Sequence, residues 1–285
     1  MQRTLIIYEN ESGLTEKIVK QMLLVIGPAR CCNVQEFKED YKGYDFFVIA
    51  SGVENENPDK KILDFIIKNA SWLINKKIGL LCTGVNRESG IRAMKKMQTI
   101  LGTSIVHCKS IEDESRVEDI VKFSLQLKKI REGFLRTMPK DVLKKHIEEF
   151  LKAHNTCCLA TGHGEWVRAT PIEYMYEDNC IYILSEGGKK FANILLNDKV
   201  CITVYDKYDG MDKLAGMQIR GNAEIIYPED NEYEKIINMR GLKIEDLEKL
   251  PALLNGIKVK FDKIEFLSSK FKCLGYDSKQ IFYYR

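Results

Sequence analysis

The sequence predicts a two-domain protein, with an α/β doubly wound parallel sheet over residues 1–135 and a small antiparallel β barrel with flanking helices over residues 136–285. In the first half, short apolar runs alternate with segments of helical periodicity, the pattern of a parallel sheet covered by helices on both faces. In the second half, short strand patterns are separated by glycine-containing turns, as in small barrels. The chain length of 285 residues also favours two domains over one.

The first predicted strand covers residues 4–8, an apolar run suited to a buried parallel strand. A small polar loop follows, and then a helix whose apolar residues recur at helical spacing as far as Ile26. Further buried strands are predicted at residues 45–51, 77–82 and 104–108, and helices at residues 60–73, 89–101 and 117–134. In such sheets ligands bind beyond the carboxyl ends of the strands, which here are residues 9–15, 52–57 and 83–87.

The second half begins near Pro139, since proline is compatible with a helix start, and a helical pattern follows from Val142 to Leu151. The predicted strands after this helix are residues 156–161, 166–172, 180–185, 201–205, 218–226, 258–267 and 280–284.

A group of cationic and hydroxyl residues lies on two of these strands. Arg168 belongs to the strand 166–172, and Ser185 ends the strand 180–185, before two glycines, Lys189 and Lys190 at the start of a helix. A helix start offers unpaired N–H groups and a favourable dipole, and arginine and lysine add charged donors. This set suits a phosphate dianion. The alternative is a solvated strand end with ordinary surface lysines.

These segments, together with residues 200–205 and a Lys-x-x-Asn pattern from Lys190, resemble the FMN-binding split barrels related to pyridoxamine 5′-phosphate oxidase. The resemblance covers about residues 140–285. It implies FMN as the cofactor and a homodimer with FMN at its interface. The residues it implies for cofactor binding are Arg168, Ala169, Thr170, Pro171, Ser185, Lys189, Lys190, Asn193 and Gln218. Asn193 could instead cap or pack, and Gln218 is a plausible donor to the flavin ring or the phosphate.

The loop after the first strand resembles the FMN phosphate loop of flavodoxins, through Asn10, Ser12, Gly13 and Thr15. A helix start capped by Ser12 or Thr15 is the alternative. The later loops, residues 52–58 and 83–87, contain no aromatic residue to cover a flavin ring, and Glu54 and Glu56 add negative charge. The N-terminal domain is therefore interpreted as a structural or docking domain, with a second, weaker FMN site as the alternative.

Composition narrows the functional classes. A formal charge of +3 gives no support for nucleic-acid binding, and no apolar run is long enough to span a bilayer. The N-terminus lacks a signal-peptide pattern. Nine cysteines without CxxC spacing are interpreted as free, mostly buried thiols in a reducing cytoplasm. The four histidines show no metal-ligand spacing, so no metal site is predicted.

The function that follows is an FMN-dependent oxidoreductase, a reductase or oxidase, acting on an unidentified small molecule. Pyridoxamine phosphate oxidases carry an Arg-x-His element near the C-terminus, and residues 275–285 lack it, so vitamin B6 oxidation is not expected. Two alternatives stay open. One is a flavin-binding electron-transfer protein without a dedicated substrate. The other is a haem-binding split barrel, in which His107, His146, His154 or His163 would be the axial ligand.

Overall fold

The structure, a computed structural model, describes residues 3–9, 13–247 and 249–284. The chain divides into two units, Met1–Leu135 and Arg136–Arg285, which we call the N-terminal unit and the C-terminal unit. Each unit is built on hydrophobic clusters of its own. Within the described part of the chain, no helix combines the length and apolar character needed to cross a membrane.

The N-terminal unit contains a sheet whose long strands all pair in parallel. Its strands are β1 (Thr4–Tyr8), β2 (Ala29–Asn33), β3 (Phe46–Glu54), β4 (Asn57–Pro58), β5 (Lys77–Thr83) and β6 (Ile105–Ile111). The strand order is β2-β1-β3-β5-β6, and the short β4 pairs antiparallel with the end of β3. Leaving β4 aside, this is the flavodoxin-like order, in which the direction of winding reverses between β1 and β3. The predicted doubly wound parallel sheet is confirmed.

Four helices cover the two faces of this sheet: α1 (Leu14–Ile26), α2 (Lys60–Leu73), α3 (Arg87–Leu101) and α4 (Val117–Glu132). The apolar residues of α2 and α3 form one core with the sheet, and those of α1 and α4 form the other. Because both faces are covered, every residue of β1 is buried, which explains its continuous apolar sequence.

The C-terminal unit is an antiparallel sheet that is curled into a half-barrel. After helix α5 (Lys140–Ala153), its strands are β7 (Thr156–His163), β8 (Trp166–Glu173), β9 (Met175–Glu177), β10 (Cys180–Ser185), β11 (Lys199–Tyr205), β12 (Ala215–Ile226), β13 (Asn255–Ser268) and β14 (Lys279–Tyr283). The strand order is β8-β7-β11-β12-β13-β10-β9, with β14 on β13. Alternate residues of β7 and β11 are buried in one core, as expected when a sheet has one covered face. The predicted antiparallel split barrel is confirmed.

Four further helices complete this unit: α6 (Lys189–Leu196), α7 (Tyr233–Arg240), α8 (Ile244–Leu247) and α9 (Lys270–Cys273). The sequence predicted α6, but its list of strands and helices did not include α7 to α9, the strand β2 or the short strands β4 and β9. These elements are short. Helix α7 is stabilised by Tyr233, Ile236 and Ile237, which belong to the same buried cluster as Tyr182. Such tertiary contacts are not visible in local sequence periodicity.

The nine cysteines are all free, as the sequence predicts. The expectation that they are mostly buried is wrong, because only Cys32, Cys82 and Cys157 are fully buried. Five others are half-buried and Cys273 is exposed. Strands at sheet edges or with one uncovered face leave thiols partly accessible.

Candidate cofactor site

The first part of the candidate site lies on strand β8. Arg168 pairs with Thr161 of β7, and Thr170 pairs with the buried Leu159. Directly paired residues of antiparallel strands point to the same face, so Arg168 and Thr170 lie on the core side of the sheet. The Arg168 Nε atom donates a hydrogen bond to Thr170 Oγ1 at 3.2 Å. This contact orients the guanidinium group, which is otherwise exposed.

The second part is the start of helix α6. Gly187 and Gly188 adopt φ values of 123° and 101°, a region that side chains with a Cβ atom rarely occupy. The two glycines allow the chain to turn sharply from the end of β10 into the helix. No side chain in the described part of the chain caps this helix start. Its first backbone N–H groups are therefore available to an anion.

Lys190 links the two parts. Its side chain is 8% exposed, and its Nζ atom donates to the carbonyl oxygen of Gly187 at 2.6 Å. Burial, and secondarily the charge of Arg168, lower the pKa of the Lys190 ammonium below its ordinary value, while Glu186 acts in the opposite direction. Two cations thus lie close enough to repel each other. A bound dianion would reverse this unfavourable interaction.

Ser185 and Lys189 complete the set. Ser185 is the half-buried last residue of β10, two residues before Gly187, and Lys189 is the exposed first residue of α6. We call Arg168, Ser185, Lys189 and Lys190 the cationic cradle. Its chemistry fits a phosphate monoester, since it offers a guanidinium, two ammonium groups, a hydroxyl and free N–H groups.

Asn193 holds α6 in place. Its side chain is 2% exposed, and its Nδ2 atom donates to Thr161 Oγ1 at 3.1 Å and to the carbonyl oxygen of Trp166 at 3.4 Å. Both acceptors belong to the β7–β8 hairpin, and Thr161 is the residue paired with Arg168. The amide therefore fixes the helix against the strand that carries Arg168. Thr161 was not predicted as a site residue, because its role depends on strand register, which the sequence alone does not show.

The other candidate residues lie on the opposite face of the sheet. Gln218 pairs with Thr203, Thr203 with Cys158, and Cys158 with Pro171. Ala169 is on the same outer face as Pro171, since residues two apart on a strand share a face. Gln218 is exposed and lies three strands from β8. Within one chain, it is not brought together with the cationic cradle.

The candidates of the N-terminal unit lie at the end of β1 and the start of α1. Asn10 and Ser12 are outside the described residues. Gly13 precedes α1 with a φ of 74°, in the left-handed region. Thr15 is buried, with its hydroxyl 2.8 Å from that of Thr83. A cleft of about 780 Å³ lies beside these residues, at the carboxyl ends of β1, β3 and β5.

Three of the four histidines have ring nitrogens within reach of polar protein atoms. His107 lies 2.6 Å from Gln126, and His146 lies 3.7 Å from Glu149. His154 contacts the carbonyl oxygen of Phe150 and the carboxylate of Asp206, each at 2.8 Å. Among the described residues, no group of three or more histidine, cysteine, aspartate or glutamate side chains could hold a metal ion.

Comparison with known families concerns the C-terminal unit. Residues 143–268 match the family model described as pyridoxamine 5′-phosphate oxidase. The C-terminal unit has the split-barrel fold of this family. The match includes β8, β10 and α6, so every residue of the cationic cradle lies inside the matched part of the split barrel. No protein of curated function matches the sequence of the chain.

Several crystal structures are similar to part of the chain. One is described as a putative pyridoxamine 5′-phosphate oxidase from Listeria innocua, with 22% identity and a TM-score of 0.37, covering 44% of this chain and 98% of that one. A FAD-binding protein from Mesorhizobium loti has 17% identity and a TM-score of 0.37, with coverages of 46% and 93%. HutZ, a haem storage protein from Vibrio cholerae, has 15% identity and a TM-score of 0.36, with coverages of 42% and 90%.

Proposed function

We propose that the C-terminal unit binds FMN through the cationic cradle and that the protein is an FMN-dependent oxidoreductase acting on a small molecule. The observation that carries the proposal is the pair Lys190 and Arg168. Lys190 is an 8% exposed residue, and its ammonium donates to a carbonyl oxygen rather than to a carboxylate. Burial first, and then the charge of Arg168, lower the pKa of this ammonium group. Such an arrangement is costly unless an anion binds there.

Each residue of the cradle has a distinct role in this proposal. Arg168, oriented by Thr170, provides a planar fork that can donate two hydrogen bonds to phosphate oxygens. Lys190 provides a second charge at close range, and the uncapped start of α6 adds N–H donors. When bound, the flavin would supply the hydride or electron transfer, while the protein determines its position.

A homodimer through the split barrel would explain why the candidate residues lie on two faces. The outer face carries Gln218 and Pro171, and Val167 on the same face is 86% exposed. In this proposal the second copy approaches the edge strand β8 on the side where Arg168 is exposed, and it supplies its own Gln218 to the cradle of the first. The supporting argument is geometric, since Gln218 of the same chain lies on the wrong face of the sheet. We also propose a cytoplasmic location, which the nine free cysteines favour.

The substrate class differs from that of pyridoxamine phosphate oxidases in this proposal, since residues 275–285 carry no Arg-x-His element. A flavin-binding electron-transfer protein without a dedicated substrate is the second candidate. The cationic cradle supports this candidate equally well, because a protein can bind the phosphate of FMN without having a pocket for a substrate. Turnover of nicotinamide cofactors with a panel of acceptors would separate the two, since a pure carrier exchanges electrons without selecting an acceptor structure.

The binding test uses apoprotein titrated with FMN and, as a matched ligand, riboflavin, which lacks the phosphate. We expect FMN to bind much more tightly than riboflavin. Arg168→Ala should weaken FMN binding by about one to two decades, because a charge-assisted hydrogen bond contributes roughly 1.5–3 kcal/mol. Arg168→Lys should recover only part of the loss, because the fork is missing.

Lys213→Ala is the control for this titration, because Lys213 is an exposed lysine of the same unit, paired with Asp209. Its FMN affinity should match that of the parent protein. Equal binding of FMN and riboflavin, or unchanged affinity in stable Arg168 variants, contradicts the proposal.

A further inference from the structure

The N-terminal unit contains a cleft where its topology would place a ligand. In a sheet of this strand order, ligands bind at the point where the winding reverses, here between β1 and β3. The cleft of about 780 Å³ lies at this point, and the flavodoxin-like fold implies FMN in it. Whether FMN fits the cleft can be judged from the hydrogen bonds, the charges and the apolar surface of its described lining residues.

Of the two hydroxyl groups predicted to bind phosphate, that of Thr15 is already engaged. The hydroxyl oxygens of Thr15 and Thr83 lie 2.8 Å apart, and either can be the donor. Thr83 Oγ1 also lies 3.4 Å from the carbonyl oxygen of Ser51, which is long for a hydroxyl hydrogen bond. Thr15 is 2% exposed, so its hydroxyl is buried with a partner inside the protein. A phosphate oxygen would have to compete with this internal hydrogen bond.

The charges around the cleft also oppose a phosphate dianion. Its described lining includes the carboxylates of Glu9, Glu54 and Asp59 and the ammonium of Lys60. Glu9 is nearly buried and lies 3.1 Å from Lys61, which offsets its charge. Asp59 accepts hydrogen bonds from the backbone N–H groups of Lys61 and Ile62, at 2.7 and 3.3 Å. The positive end of α2 is therefore occupied by the chain's own carboxylate, whereas α6 has no such cap.

The walls of the cleft do not suit an isoalloxazine ring. The apolar residues among the described lining are Leu14, Val53 and Pro58, and none of the described lining residues is aromatic. The loop after β3 is folded into a hairpin, in which Val53 pairs with Pro58. Glu56 and Asn57 of this hairpin contact Arg92 and Lys96 of α3. These contacts hold the loop in a conformation without a stacking surface.

We infer that the cleft of the N-terminal unit does not hold FMN, so the chain carries one flavin, in the C-terminal unit. The second clause rests on the function proposed above. It follows that no second FMN in the same chain passes electrons to this flavin.

The experiment counts FMN sites by calorimetric titration of the full-length apoprotein. Two variants accompany the parent protein. Arg168→Ala combined with Lys190→Met removes two charges of the cationic cradle. Gly52→Leu is designed to fill the N-terminal cleft, which Gly52 lines; a Cβ atom at this position has only an ordinary 3.8 Å contact with Thr15 Oγ1. Circular dichroism confirms that each variant is folded.

We expect one FMN per parent chain, loss of binding in the double variant, and an unchanged site count and affinity in Gly52→Leu. Two sites in the parent, with one retained by the double variant and lost in Gly52→Leu, would overturn the inference and leave the proposed function standing. One site that is lost in Gly52→Leu and kept in the double variant would overturn both. No site in the parent would overturn the proposed function, together with the clause that the chain carries one flavin, and would leave standing the inference that the N-terminal cleft holds no FMN.

Discussion

Lys190 carries its charge at a position where the folded chain makes that charge unfavourable. Burial and the neighbouring Arg168 both lower the pKa of its ammonium group. Perturbed pKa values cluster at functional sites, and structural ion-pair networks produce them as well. The sequence can supply the lysine and the arginine, but their proximity depends on how α6 packs against β8.

This lowered pKa gives a prediction for stability. At pH values between the lowered pKa of Lys190 in the folded protein and its ordinary pKa in the unfolded chain, the unfolded chain binds more protons at this residue than the folded chain does. The contribution of Lys190 to the free energy of unfolding therefore rises with pH across that window. Urea unfolding of apoprotein and of Lys190→Met, at about pH 7 and about pH 10, measures the effect. We expect the parent to gain stability relative to the variant at the higher pH; equal changes in both proteins would contradict the assignment.

At the scale of elements, the docking of α6 on the β7–β8 hairpin determines the geometry of the cradle. The Asn193 amide makes two hydrogen bonds across this contact in a nearly water-free environment. Removing a buried partner leaves the other polar groups unsatisfied, at a cost of roughly 1–3 kcal/mol. In the proposed site Asn193 would act on FMN indirectly, because it holds α6, which carries Lys190, against the hairpin that carries Arg168.

We expect Asn193→Ala to lower the free energy of unfolding by about 1–3 kcal/mol and to weaken FMN binding at the same time. Denaturant unfolding and FMN titration of the same preparation measure both effects. Asn222→Ala is the control, because Asn222 contacts the side chain of Lys199 at the surface and should affect neither quantity strongly. A stable Asn193→Ala protein with parental affinity would show that the amide does not position the helix.

The elements differ in how far the sequence could predict them. Strands β1, β3 and β5 were found from their apolar runs, because both faces are buried and local composition reflects this directly. Helix α7 was missed, because it depends on distant contacts with Tyr182. For the candidate site, the residue types were visible in the motif, but the separation of Gln218 from Arg168 was not. Which face a strand residue occupies depends on register, and register is set by pairing across the sheet.

At the scale of the whole molecule, both units have a helix start that follows a strand end, but the charged side chains around these helix starts have opposite sign. The C-terminal unit presents Arg168, Lys189 and Lys190 around an uncapped helix start. The N-terminal unit places Glu9 and Asp59 near its helix starts and engages Thr15 internally. The two units therefore differ in the charge that they present at these helix starts, and FMN binding is proposed for the C-terminal unit alone. Fold alone does not determine function.

This contrast predicts where FMN will slow backbone hydrogen exchange in the full-length protein. A ligand that binds only the folded state suppresses the opening reactions that disrupt its site. We expect increased protection in peptides that cover β8 and the start of α6, and none in peptides that cover β1, α1 or the end of β3. Hydrogen–deuterium exchange followed by mass spectrometry, with and without FMN, gives this map, and riboflavin serves as the matched ligand without a phosphate. Protection centred on the β3–β4 hairpin would place the flavin in the N-terminal cleft instead, because that hairpin forms one wall of the cleft.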